Sequence, residues 1–160
     1  LGLEVEVDCD GALTCHDEDL ARLDFRLGAV HWLPEDTTGW TEAQLTAGLL
    51  KTTDALLTAG VDVLAHPMRF LHRKGQPAPA DACRAVATML AETGTVCELN
   101  YHKNAPLRPL IEACLALDVP FTFGSDAHAM WEVGNFGAGV AMLREVAGTD
   151  DIAPLLWRPW

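Results

Sequence analysis

Two hydrophobic periods alternate along this chain. Residues 3–7 (LEVEV) switch between apolar and charged at every position, the pattern of a strand with one covered face, and the Asp10-Gly11 pair that follows is a turn signal. Residues 24–31 (DFRLGAVH) form a second candidate strand, with apolar residues crowding its end. From Thr41 the period lengthens to that of a helix, which carries Glu42 in its first turn and is stopped by Gly60. Residues 61–65 (VDVLA) are almost continuously apolar, as a strand buried on both faces requires. Beyond a loop with Pro and Gly, residues 81–93 return to helical spacing up to Gly94, and residues 95–99 read as a fourth strand. Residues 106–117 read as a helix with Pro106 suited to its first turn, 120–124 (PFTFG) as a fifth strand, and 132–147 as a last helical stretch around Gly137 and Gly139. Trp157 and Trp160 in the tail read as packing residues.

Strands alternating with helices predict an α/β fold with a parallel sheet, open or closed into a barrel. Five units are too few to close a barrel, and the chain opens on Leu1 directly into a strand. One domain over residues 1–160 is expected, with further strand–helix units upstream. No glycine-rich phosphate loop of the dinucleotide or P-loop kind occurs, which weakens a nucleotide-binding reading.

Composition narrows the picture. Of 160 residues, 49% are hydrophobic and 21% charged, as in a folded domain rather than a disordered one. The formal net charge of −12 and the lack of any basic run disfavour nucleic acid as a partner. Neither a membrane-spanning apolar stretch nor a signal peptide is visible. The five cysteines are odd in number and include no CxxC pair, which suits reduced thiols and predicts a cytoplasmic setting. Cys9, Cys15 and His16 are close enough in sequence for a small metal site, but no second ligand pair at zinc-finger spacing follows them.

The informative polar residues stand at strand ends. Glu4, with Glu6 beside it, lies in the first strand; His31 ends the second, His66 the third and Asn100 the fourth, while Asp126 and His128 follow the fifth. In a parallel barrel these ends meet on one face, where the active sites of such folds lie. Each residue alone has an ordinary explanation: a core histidine for His66 or His31, a solvent-facing carboxylate for Glu4, a helix cap for Asp126. Their recurrence at equivalent points of successive units favours a metal site. Asp126 and His128, two apart in Ser125-Asp126-Ala127-His128, would point the same way in extended backbone, and carboxylate with imidazole suits zinc, manganese or iron.

These segments, GLEVEV, GAVHWL, VLAHP, CELN and FGSDAH in that order, resemble the PHP (polymerase and histidinol phosphatase) metal-dependent phosphoesterases, especially the histidinol-phosphatase-like branch. The resemblance covers nearly the whole chain. It implies the C-terminal part of a distorted seven-unit TIM-like (β/α) barrel with two or three divalent transition metals. It further implies that Glu4 bridges two metals, that His31 and His66 complete one of them, and that Asp126 and His128 serve the others. The family's opening His-x-His strand has no counterpart here. The implied reaction is hydrolysis of a small phosphomonoester such as histidinol phosphate by metal-activated water, with no covalent enzyme intermediate. A polymerase-associated exonuclease and a non-catalytic metal-binding remnant are the competing readings.

Other residues divide evenly between two explanations. Arg69 suits either a substrate phosphate or a salt bridge, and His102 with Lys103 suits either the same mouth or a plain surface loop. His72 and His16 are expected in solvent, and Glu98, inside a strand, is expected to be a partnered structural carboxylate.

Overall fold

A computed structural model describes residues 1–102 and 107–158. Its sheet contains β1 (Gly2–Val5), β2 (Phe25–Gly28), β3 (Val63–Leu64), β4 (Val96–Asn100) and β5 (Phe121–Gly124), in the order β1-β2-β3-β4-β5 and parallel at every pairing. The crossovers carry α1 (Asp17–Leu20), α2 (Glu42–Thr58), α3 (Arg69–Arg73), α4 (Ala80–Thr93) and α5 (Arg108–Ala116), and α6 (Gly137–Ala147) follows β5. Parallel crossovers are right-handed, so an order that never reverses puts every connecting helix on one face. Accordingly α2 packs on α4, α4 on α5 and α5 on α6. A doubly wound sheet would reverse its order and split the helices between two faces. The sheet also curls. The segment after the short helical turn Ala153–Leu155 runs beside β5, where the Trp157 N–H donates to the Phe121 carbonyl at 2.8 Å. Its indole nevertheless meets Phe25 of β2 edge-on, with ring centroids 6.1 Å apart. Strands lie about 4.8 Å apart, so contact across the intervening β3, β4 and β5 requires a concave sheet. This is the curvature of a partial (β/α) barrel.

Local chemistry accounts for the long elements. Thr41 caps α2 by accepting from the Gln44 N–H, and Gln44 Oε1 accepts from the Thr41 N–H, which satisfies two end donors at once. Gly94 ends α4 at φ +69°, where a side chain would be strained. Leu49, Leu56, Leu71, Val86, Leu90, Ile111, Phe121 and Leu143 are fully buried between helices and sheet.

Several expected boundaries shift. β1 stops at Val5, and Val7 instead bridges Leu13 antiparallel around Gly11 at φ +80°. β3 shrinks to two residues, and α6 starts at Gly137 because Met130–Glu132 forms a separate 3₁₀ turn. The helices α1 and α3, of four and five residues, are too short to carry a period. The predicted roles of Lys103, Pro106 and Trp160 fall outside the described residues. Within α5, Pro109 takes the first-turn place.

Cys83, Cys97 and Cys114 are buried, Cys15 is partly covered and Cys9 is exposed, all as free thiols. Burial, then the neighbouring Cys114, pushes the Cys83 thiol up to about 11. At pH 8 only about one such thiol in a thousand would be ionised. Thiol alkylation of the native protein should therefore label Cys9 quickly and leave Cys83, Cys97 and Cys114 unmodified until denaturant is added. Rapid native labelling of Cys83 would contradict this packing.

Candidate metal centre

The strand ends place the site. Glu4 is the next-to-last residue of β1, Asn100 the last of β4, His66 stands two residues past β3 and Asp126 two past β5. His31 lies three residues past β2, in a loop rather than in the strand. His66 and Asp126 have φ of +32° and +44°, in the left-handed region that ordinary side chains avoid. Among the described residues Asp118 is the other non-glycine residue at positive φ, in the turn before β5. Backbone strain thus concentrates on two of the candidate ligands, as it does at functional sites.

Glu4, His31 and His66 form one cluster, each with a donor atom within 4.8 Å of the others. His31 Nε2 faces Glu4 Oε1 and His66 Nε2 faces Glu4 Oε2, both at 3.5 Å. Glu6 orients His31 twice: its Oε1 accepts from the His31 backbone N–H at 3.0 Å and lies 2.9 Å from Nδ1. An ionised carboxylate only accepts, so Nδ1 carries a proton, and the tautomer this selects for a neutral ring presents a bare Nε2 to Glu4. His66 is 4% exposed in its side chain, and both its ring nitrogens are buried without a hydrogen-bond partner. Its backbone N–H donates to Glu98 Oε2 at 2.8 Å. The His66 ring holds the Glu4 carboxyl below its ordinary range against the opposing effect of burial, with His31 adding to the pull. Burial pushes the Glu98 carboxyl upward, as befits a structural carboxylate.

A second cluster joins His102, Asp126 and His128. Burial opposes ionisation of Asp126, but the Arg69 guanidinium paired with it outweighs this and keeps its carboxyl low. Arg69 is itself buried and donates also to Asn100 Oδ1 at 3.0 Å and to the His102 carbonyl at 3.2 Å. Arg69 thus makes a salt bridge and also lines the cleft. Glu4, His31, Arg69, His72, Arg73, His102, Asp126 and His128 line a single cleft. Arg73 lies over the Trp32 ring at 4.4 Å.

The expected residues thus come together, with corrections. His72 is half-buried on the cleft wall rather than in solvent, because α3 turns it inward, while His16 is exposed as expected. Asp126 and His128 do share a cluster, but the extended-backbone reason fails at φ +44°; the His128 ring is instead held by Nδ1 donating to the Asp126 carbonyl at 2.8 Å. Cys9, Cys15 and His16 do not appear among the metal-capable groups of the described residues. Glu6 as the holder of His31 could have been found from its two-residue offset from Glu4. Glu132, which accepts from the His128 N–H at 2.6 Å, carried no such signal.

The result is a parallel α/β fold whose strand ends gather imidazoles and carboxylates suited to divalent cations. The PHP-associated family matches residues 110–150, the stretch holding Asp126 and His128. A probable phosphatase of Acetivibrio thermocellus is 29% identical over 156 residues, covering 91% of this chain and 58% of the relative. A probable phosphatase of Aeromonas hydrophila is 26% identical over 147 residues, covering 84% and 54%. One of Edwardsiella ictaluri is 29% identical over 158 residues, covering 91% and 58%. The chain spans about half the length of these curated relatives. In fold, ligand layout and these partial matches the chain is similar to proteins of the PHP-domain family. No helix among the described residues is long and apolar enough to cross a membrane.

Proposed function

We propose that the cleft is the metal-holding part of a phosphoesterase that hydrolyses a small phosphomonoester, histidinol phosphate being of the right class. The observation that carries this reading is the meeting of His31 Nε2 and Glu4 Oε1 at 3.5 Å, two electron-pair donors face to face, beside a His66 ring buried without a hydrogen-bond partner. A divalent transition metal (zinc, manganese or iron) would satisfy all three donors, which is the fit expected of residues built to hold one. When bound, such a metal supplies Lewis acidity toward a phosphoryl oxygen and toward water.

The chain's own groups have separate tasks. Glu6 keeps His31 in the tautomer that offers Nε2, a second-layer role of the kind that sharpens metal sites. Arg69, His72 and Arg73 bring positive and hydrogen-bonding groups to an otherwise acidic chain, where the dianion of a phosphomonoester would lodge. Asp126, paired with Arg69, and His128 stand beside that anion in the same cleft. The net charge of −12 favours a small phosphate over nucleic acid.

Phosphate release from histidinol phosphate and a generic aryl phosphate, with manganese or zinc supplied, tests the reading on the full-length protein that carries this chain. Asp126→Asn should lower kcat/KM by at least about 100-fold. Bound metal with no turnover of either ester would leave a structural metal only. Cleavage of an oligonucleotide in place of the esters would assign the cleft to nucleic acid.

A further inference from the structure

We propose that Arg73, positioned by Trp32, determines specificity by receiving a second anionic group, carboxylate or phosphate, on the alcohol of the substrate. This rests on the phosphomonoester reading and narrows its substrate class. The two arginines of the cleft, Arg69 and Arg73, stand four residues apart on α3, so they share one side of it. Arg69, at the buried end beside the strand ends, is committed to Asp126, to Asn100 Oδ1 and to the His102 carbonyl. Arg73 is exposed at the other end of the helix. Its guanidinium lies over the Trp32 ring, 4.4 Å from the centroid, and makes no ion pair or hydrogen bond among the described residues. That is notable in a chain with 23 Asp and Glu against 11 Lys and Arg.

The rim around this pair is built to hold it still. Phe70 and Leu71 anchor α3 in the core. Trp32 follows His31 in the loop after β2, and the same loop is tied to α3 a second time, where Lys74 Nζ donates to Thr37 Oγ1 at 3.0 Å. The face of an indole attracts a cation without offering it a carboxylate or a carbonyl. Trp32 therefore places Arg73 at the cleft and leaves its fork of N–H donors available, the fork that pairs with carboxylate or phosphate through two parallel bonds.

Position along α3 decides which part of the substrate meets Arg73. The cluster of Glu4, His31 and His66 lies at the strand ends with Arg69 beside it, and the phosphoryl group to be transferred belongs there. Arg73 stands one helical turn further out, so it faces the alcohol. Positions four apart on a helix are about 6 Å from each other, a span that an alcohol of about three carbons covers. A cationic alcohol such as that of histidinol phosphate would gain nothing from Arg73.

Three phosphonates, which are not hydrolysed, test this without relying on turnover. Phosphonopropionate carries a carboxylate, propane bisphosphonate a second phosphonate, and propylphosphonate neither. Calorimetric titration of the full-length, metal-loaded protein, with metal content measured before and after, should show at least one acidic probe binding about tenfold more tightly than propylphosphonate, the gain of one charge-assisted contact. The tighter of the two acidic probes identifies the second anion. Arg73→Met and Trp32→Leu should each bring the ratio below about twofold, and Trp32→Phe should restore most of it. Trp32 is 63% exposed, so these variants leave the core untouched. Arg84→Met, which removes the same charge from an exposed position on α4, should keep the ratio. Equal binding of all three probes, a ratio that survives Arg73→Met, or an equal loss in Arg84→Met would overturn the proposal and leave the phosphomonoester reading standing. A ratio kept in Trp32→Leu would overturn the part given to Trp32. Failure to bind any of the three would sink the phosphomonoester reading, and this proposal with it.

Discussion

Gly124→Ala should destabilise the protein by about 3 kcal/mol, toward the upper end of overpacking costs, and lower its melting temperature by about 10 °C. The reason lies one strand away. A Cβ at position 124 would stand 1.7 Å from Glu98 Oε1 and 2.6 Å from its carboxyl carbon. A surface glutamate would swing aside, but Glu98 is buried and its Oε2 accepts the His66 N–H at 2.8 Å. Moving it would unpair a buried carboxylate and release the backbone of a candidate ligand that is already strained at φ +32°. The damage should therefore reach metal retention as well as stability. Adding Glu98→Ala to Gly124→Ala should cost less than the sum of the single changes, because the clash vanishes with the carboxylate. Thermal melts of the four proteins supply the comparison. Additive losses would mean that Gly124 matters for another reason.

The order of elements was legible because the long ones carry their own period and punctuation. Thr41 and Gly60 bracket α2, and Gly94 closes α4, through backbone effects that act within a few residues. The parallel pairing followed from alternation alone. Where local signals are weak the reading blurred: α3 is a single turn, and missing it left His72 in solvent on paper when the turn carries it into the cleft. The gathering of Glu4, His31, His66, Asp126 and His128 was legible from strand-end positions, since a parallel sheet brings those ends together whatever lies between. The conformations that aim them were not. His66 and Asp126, both at positive φ, each meet a partner distant in sequence, the Glu98 carboxylate for His66 and the Arg69 guanidinium for Asp126. The pairing of Arg69 with Asp126 likewise needed coordinates, because phosphate and carboxylate attract the same fork of donors.

His66→Ala should abolish the thermal stabilisation that added metal confers. At a free metal concentration of about 100 times Kd, one site stabilises the folded chain by about 2.7 kcal/mol, or several degrees in Tm. The variant loses the donor most deeply enclosed in the first cluster, leaving Glu4 and a His31 held by Glu6. Its affinity should fall by more than about 100-fold, a larger loss than outer-layer changes cause. With metal chelated, the two proteins should melt within a few degrees of each other. In the wild type both ring nitrogens are buried without partners, and removing that penalty of about 1–3 kcal/mol offsets much of the packing the ring provides. A ring kept for packing alone would behave in the opposite way, with a large loss in chelator and an unchanged response to metal. Melting curves of both proteins with chelator and with excess zinc or manganese decide between the two, and equal metal-induced shifts would remove His66 from the centre.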